Sequence, residues 1–430
     1  MKQDIYNSPR VSSQFIFCPF PFVLDSYAGC PQHCRYCFAY WNSLINQAKG
    51  KDTFAEDSKT IDLEHLERVL AMKPRNQTEK ELCKFVERRI PLHWGGVSEI
   101  VSVFERKYGT GLKVLKLLEK YQYPVIISTK NHRLVEGEYW ETLKKLKYKV
   151  IQVSLISLRP EMSKLEPHPE IQVEKRLDVI EKCAKEGMRV VVRIQPFIPF
   201  FCEKGLEDLI KKVSGLGAKA ATIEYLKIPA MQMPVVKRAI NELSEILGYD
   251  VNKLYQKMGK KTATDFEPKP ELKKRWILKT KELAHKYGLE FYSADNEFRG
   301  LGDSSICCGV GNEEGFQNVN KTRTGRIFEI NKSRITWEDI LEDKELLNGI
   351  NRHWINAGNA YKGAENKNVS LLGELKALWN NPRSPLAPNN FYTGIRYIGK
   401  DKNGNAVYYK TGETKMNIKK VAEKKSKSKI

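Results

Sequence analysis

Three cysteines fall within one short segment, Gly29 to Tyr40 (GCPQHCRYCFAY), as Cys30, Cys34 and Cys37. Their C-x3-C-x2-C spacing lets one compact loop present three thiolates to a single iron–sulfur cluster. Three protein ligands leave one iron of a [4Fe-4S] cluster open to a substrate or cofactor, as an open position does in catalytic zinc sites. A structural zinc site usually shows two separated C-x2-C pairs or a Cys/His set. Here only His33, inside the loop, offers a fourth ligand. Tyr36, just before the third cysteine, adds an aromatic ring to the loop.

The elements around the loop are expected to form a parallel sheet. Short apolar, β-branched runs lie at Val23 to Ala28, Ile90 to Gly95, Pro124 to Thr129, Val150 to Leu155, Met188 to Gln195 and Ala221 to Leu226. Such runs read as strands buried on both faces. Helical spacing with charged faces separates them, as in Gly109 to Tyr121 and in Ile171 to Glu186, where Gly187 supplies a C-cap. Alternating strands and helices imply βαβ units, and six of them make an α/β fold, a partial (βα)6 TIM-like barrel. Chemistry in such folds sits at the C-terminal ends of strands. Ser128, Thr129, Lys130, Ser154, Arg193 and Glu224 all fall there.

Residues 231 to 290 read as mostly helical, with a late strand at Phe291 to Ala294. Beyond Gly300 the βα rhythm stops. Arg396 to Lys410 reads as a hairpin around Asn403–Gly404. The expected organisation is an N-terminal segment (1–21), a barrel (22–299), a C-terminal extension covering the barrel mouth (300–414) and a lysine-rich, disordered tail (415–430).

C-x3-C-x-aromatic-C resembles the cluster loop of radical S-adenosylmethionine (SAM) enzymes. In that superfamily SAM chelates the open iron and is cleaved to methionine and a 5′-deoxyadenosyl radical, which abstracts hydrogen from a substrate. The likeness runs from about Phe22 to Lys227 and is greatest to the spore photoproduct lyase group, which repairs DNA. It implies that Tyr36 lies near the adenine and that Trp94 to Glu99 (WGGVSE), with Gly95, Gly96 and Glu99, is the segment facing the SAM amino group. Lys130, in Ile127 to Lys130 (ISTK), would contact the SAM carboxylate, and Ser154, in Gln152 to Ser157 (QVSLIS), would contact SAM. Leu165 to Arg176 brings Glu166 and Arg176, as ligand contacts or as a structural pair. Val192 to Pro199 and Thr222 to Leu226 make Arg193 and Glu224 pocket candidates. One departure limits the likeness: the lyases return hydrogen from a cysteine in the second-strand segment. That place falls at or near Gly96, so the resemblance does not assign spore-photoproduct repair to this chain.

The remaining cysteines make a poor ligand set for a second cluster. Cys307 or Cys308, adjacent in SSICCG, is instead a candidate to enter the barrel mouth as a hydrogen donor, and His93 is a candidate proton relay. After position 350, Trp354, Tyr361, Trp379, Phe391, Tyr392 and Tyr397 are interleaved with basic residues, suited either to base stacking or to a small core.

The net charge of +21 favours a polyanionic partner, nucleic acid and DNA first. No apolar run approaches the ~20 residues of a membrane span, and Met1 to Arg10 carries no signal pattern, so a cytoplasmic protein without a membrane partner is expected. A reducing partner such as flavodoxin or ferredoxin would supply electrons to the cluster. The competing readings are radical modification of a peptide or small metabolite, and a non-catalytic nucleic-acid-binding protein with a structural metal.

Overall fold

Seven short apolar runs become parallel strands of one sheet in the computed structural model. The structure describes residues 5–6, 8–12, 18–49, 59–231, 233–262, 265–318, 326–327, 329–340, 371–384, 386–392 and 394–411. The strands are β1 (Arg10–Val11), β2 (Phe22–Leu24), β3 (Leu92–Trp94), β4 (Val125–Thr129), β5 (Lys149–Ser154), β6 (Arg189–Phe197), β7 (Ala220–Tyr225) and β8 (Glu290–Ser293). Their spatial order is β8-β7-β6-β5-β4-β3-β2-β1. Every neighbouring pair from β2 to β8 is parallel, and only β1 runs antiparallel, on β2.

This is the partial barrel expected from the sequence, with two additions. The late strand, β8, joins the sheet as a seventh parallel member, and the N-terminal segment contributes an antiparallel edge. Both are short runs whose pairing is decided by distant partners rather than by local pattern. The sheet is open between β1 and β8.

Helices α1 (Phe38–Gln47), α2 (Leu63–Leu70) and α3 (Gln77–Glu87) connect β2 to β3; α4 (Thr110–Lys120), α5 (Gly137–Lys145), α6 (Val173–Lys185) and α7 (Leu206–Gly215) make the next four crossovers. Two more, α8 (Pro234–Leu247) and α9 (Pro270–Lys286), lie between β7 and β8. Helix α6 ends as expected, with Gly187 in the left-handed region at φ 75°. The outer faces of the strands, including Ile127, Ile151, Val190, Val192 and Ile223, join the main core with these helices.

The inner face holds a second core. Ile126, Val150, Val191, Ala220 and Tyr292 pack with Phe20, Cys308, Val310 and Phe316. These strand residues lie toward the N-terminal ends, so the segment after β8 fills the barrel floor. The described part of the C-terminal extension therefore departs from the expected cover over the mouth. The physical reason is apolar: the inner strand faces need a partner, and Val310 and Phe316 supply it.

The C-terminal hairpin is present as β10 (Ile395–Lys400) and β11 (Ala406–Lys410), with β9 (Arg334–Ile335) added beside β11. Its connection is longer than a two-residue Asn-Gly turn. The Asp401 carboxylate accepts the N–H groups of Asn403 and Asn405, and Gly404 takes the left-handed conformation. Trp379 and Tyr392 are buried, and Trp379 packs on Trp337 and Tyr408, so these aromatics form a core rather than a stacking surface. Tyr397 is exposed. Trp354, Tyr361 and the tail 415–430 lie outside the described residues. Among the described residues no helix is long and apolar enough to cross a membrane.

Candidate radical SAM site

The cysteine loop leaves the C-terminal end of β2 and ends on α1. Cys37 caps that helix: its N–H donates to the Cys34 carbonyl at 3.0 Å, and its own carbonyl accepts from Trp41 at 3.1 Å. Cys34 is buried, while Cys30 and Cys37 are partly exposed. The Cys30 sulfur accepts backbone N–H groups from Gln32 and from Glu99, so the glycine-rich segment after β3 touches the loop directly. Burial pushes the Cys34 thiol up to about 12 and raises Cys30 as well. A metal that takes these sulfurs must therefore displace their protons.

These residues fit an iron–sulfur cluster better than a single ion. Thiolates around one tetrahedral zinc, each bonded at ~2.3 Å, lie roughly 3.8 Å apart. Among the described residues, the one group of three potential ligands gathered within 4.8 Å is Glu267, Asp295 and Glu297, and it does not include the cysteines. That acidic group already holds the buried Lys273 ammonium. His33 does not complete a zinc set: it is exposed, and its ring lies edge-on to Tyr40 at 5.6 Å.

Lys130 follows β4 and brings a positive charge to the loop. Its ammonium lies 3.5 Å from the Cys34 sulfur, 2.8 Å from the Tyr36 hydroxyl and 2.6 Å from Glu166. It also stands 4.7 Å from the centre of the Tyr36 ring. The Tyr36 hydroxyl donates to Glu166 as well. Burial opposes the charge on Lys130, but Cys34, Glu166 and Tyr36 outweigh it and raise its pKa. Burial likewise opposes the Glu166 carboxylate, but Arg176 and Lys130 hold its pKa down. Arg176, fully buried, pairs with Glu166 and donates to the Ser154 carbonyl at 2.7 Å. Glu166 and Arg176 are thus a structural pair, and through it Ser154 is fixed at the end of β5.

Gly95 and Gly96 differ sharply. Gly95 has φ 87°, and a Cβ there would come 2.4 Å from the Ser128 carbonyl oxygen and 2.6 Å from Ile100. Only glycine fits, which draws the loop against β4. Gly96 has open space where a Cβ would stand. Glu99 points back to the next strand end: Thr129 Oγ1 donates to it at 2.6 Å and the Lys130 N–H at 2.9 Å. Burial raises its pKa, against those donors.

Beneath this layer runs a polar chain across the inner face. His93 and Ser128 are 2.8 Å apart, Ser128 donates to Gln152 at 2.8 Å, and Arg193 donates to Ser128 at 3.0 Å. Arg193 also donates to Gln195 at 2.7 Å. Burial, then the charge of Arg193, lowers the pKa of His93 to about 3. A neutral imidazole at physiological pH fits a hydrogen-bonded strut better than a titrating relay. Glu224, at the end of β7, pairs with Lys227 at 2.7 Å. The structure therefore gathers Tyr36, Lys130 and Cys34 at one point, links Glu99 and Cys30 to it through backbone, and sets Arg193 and Glu224 deeper, on neighbouring strands.

Sequence reasoning missed Asp25 as a site builder. Asp25, the first residue after β2, accepts the N–H groups of Val97 at 2.9 Å and Ser98 at 3.1 Å, and pairs with Arg10 at 2.7 Å. It ties the start of the cysteine loop to the glycine-rich loop. The strand-end rule that singled out Lys130 applies to it equally.

Comparisons with known proteins agree with this geometry. The family model "Radical SAM superfamily" matches residues 25–213. A spore photoproduct lyase variant, cysteine to serine, superposes with a TM-score of 0.50 at 14% identity, covering 67% of this chain and 81% of that one. Another variant of that lyase, solved with S-adenosylmethionine and the dinucleoside spore photoproduct, gives 0.48 at 13% identity over 67% and 80%. SuiB of Streptococcus suis bound to S-adenosylmethionine gives 0.39 at 14% identity over 63% and 49%. No curated protein sequence matches the chain. The cofactors of this family are a [4Fe-4S] cluster and S-adenosylmethionine. Residues 25–213, with the three-cysteine loop at their start, match the radical SAM superfamily, and the chain shares its fold with spore photoproduct lyase.

Proposed function

We propose that the chain cleaves SAM reductively and uses the resulting radical to abstract hydrogen from a nucleic-acid lesion or base. The observation that carries this reading is the Lys130 ammonium, held between the Cys34 sulfur and Glu166 at 3.5 and 2.6 Å. Cys30, Cys34 and Cys37 would hold the cluster. When bound and reduced, the cluster supplies the electron that splits SAM into methionine and a 5′-deoxyadenosyl radical.

The protein's own part is placement. Lys130 presents a cation beside the cluster loop, suited to a carboxylate. Gly95 lets backbone approach closely, and Glu99 offers a carboxylate suited to an amino group. Tyr36 supplies an aromatic face whose hydroxyl is pinned. Ser154, Arg193 and Glu224 line the inner strand ends, where SAM or substrate would lie. Cys307 and Cys308 lie under the polar layer and are the candidate hydrogen donors. A nucleic-acid substrate is supported by the net charge of +21. Flavodoxin or ferredoxin would deliver the electron.

The test is anaerobic reconstitution with iron and sulfide, reduction, addition of SAM and assay of 5′-deoxyadenosine, beside a C30A/C34A/C37A control. Cysteine-dependent deoxyadenosine is expected. A loaded, reducible cluster that yields none, even with DNA and RNA present, would overturn the reading. Binding of DNA or RNA should weaken steeply with salt, since displaced counterions make log affinity fall linearly with log salt. Salt-independent binding would remove nucleic acid as the substrate class.

A further inference from the structure

Cys307 and Cys308 stand in one turn on the inner face of the barrel. Their thiols are hydrogen-bonded to each other. Cys308 is buried among Ile126, Val150, Val191 and Tyr292. Its carbonyl accepts Gln152 Nε2 at 2.7 Å, and Gln152 Oε1 accepts Ser128 Oγ at 2.8 Å. Ser128 lies two residues before Lys130 on β4, so the pair sits one layer below the residues that touch Cys34. Cys307 is partly exposed and feels the charges of Arg299, Glu224 and Arg193.

The two sulfurs have opposite characters. The hydrogen bond with Cys308, helped by Arg299 and Arg193 against burial and Glu224, lowers Cys307 below the ordinary thiol range. The same bond, with burial, raises Cys308. Of the two, Cys307 gives up its proton the more readily and Cys308 holds its own the more tightly. A lone thiol that gave up a hydrogen atom would leave a trapped sulfur radical. A second sulfur hydrogen-bonded to it gives that radical a partner.

We propose that Cys307 and Cys308 form a redox-active dithiol that gives one hydrogen atom to a substrate radical and closes to a disulfide between consecutive residues. The donor role rests on the radical chemistry proposed above; the dithiol couple does not. In the step, the Cys308 S–H bond breaks and its hydrogen atom goes to the substrate carbon. A bond forms between the two sulfurs, and the surplus electron would pass to a one-electron acceptor, the oxidised cluster that Cys30, Cys34 and Cys37 would hold. One thiol and one thiolate thus become a disulfide, releasing a hydrogen atom and an electron. Return to the reduced pair consumes two electrons from an external dithiol by thiol–disulfide exchange.

The experiment uses the reconstituted, cluster-loaded protein without SAM or substrate. It is equilibrated anaerobically with reduced and oxidised dithiothreitol in varying ratio, quenched in acid, alkylated with N-ethylmaleimide and mapped by peptide mass. The peptide carrying both cysteines should pass from two adducts to none in one two-electron step, while Cys83 and Cys183 stay fully alkylated. A Cys308→Ser variant that retains the visible absorbance of the cluster should carry one adduct at every ratio. Two adducts throughout in the parent protein, or a disulfide from Cys307 or Cys308 to Cys18, would overturn the dithiol. If the two-electron step appears but SAM is never cleaved, the donor role falls while the couple stands. If SAM is cleaved but the step is absent, the dithiol alone falls.

Discussion

The ammonium of Lys130 stands 3.5 Å from the sulfur of Cys34. Lys130 is also one of two cations on Glu166, the other being the fully buried Arg176. Removing one member of such a buried set leaves the others uncompensated, which costs about 3–5 kcal/mol. Glu166→Ala strands two cations, whereas Lys130→Met leaves Glu166 still paired with Arg176. Glu166→Ala should therefore lower the urea midpoint of the apoprotein more than Lys130→Met does. Lys130→Met should spare most of the fold yet weaken SAM binding at least tenfold, measured by calorimetry on the cluster-loaded protein.

The two glycines after β3 give a paired test. Gly95→Ala forces a Cβ to 2.4 Å from the Ser128 carbonyl at a φ of 87°. Overpacking and the left-handed backbone together should cost about 2–4 kcal/mol. Gly96→Ala meets nothing within 4 Å and should stay within roughly 0.5 kcal/mol of the parent protein. Chemical denaturation of both variants settles the contrast. Equal losses would show that the loop is not packed on β4 as described.

Acid should find a specific weakness far from the barrel mouth. Burial disfavours the charged form of Glu79. Arg68, the Arg75 N–H and His65 outweigh burial and hold its carboxyl at about 2. A pKa lowered in the folded state adds stability above the unfolded value, ~4.3, and loses it as pH falls toward 2. The urea midpoint of the parent protein should therefore fall between pH 5 and 2 more steeply than that of Glu79→Gln. Parallel curves would exclude the pairing.

Gln152→Leu should leave the Cys308 carbonyl and the Ser128 hydroxyl short of a partner in a buried layer. The cost is about 1–3 kcal/mol for such an unsatisfied group. The same variant should alkylate faster at Cys308 than the parent, since the segment is then held by fewer bonds. Unchanged melting and labelling would mean that the bond does not anchor the floor.

How much of this was legible in sequence depends on range. The cysteine loop, the strand ends and Lys130 are local features, set by spacing within a few residues and by the rule that parallel sheets act at their C-terminal ends. The strands Val125–Thr129 and Lys149–Ser154 stood out because both faces are buried. The antiparallel Arg10–Val11 edge did not, because two residues carry no period. Asp25 and Thr129 act through partners some 30 to 73 positions away, and nothing near them in sequence announces those partners. Val310 and Phe316, in the described part of the extension, pack on the floor of the barrel. Composition shows that a segment has apolar residues to bury, not which end of a barrel receives them.

From β2 to β8 the order along the chain is also the order in space. During synthesis each new strand would thus meet a neighbour already made, and pairing could advance by simple addition without waiting for distant sequence. The inner face is the exception. Ile126, Val150 and Val191 would stay wet through the making of the whole sheet, until residues 306 to 316 arrive to cover them. The cysteine loop, at the opposite end of the strands, would be complete some 270 residues before that, so the metal end of the barrel is ready for loading while its floor is still open to solvent.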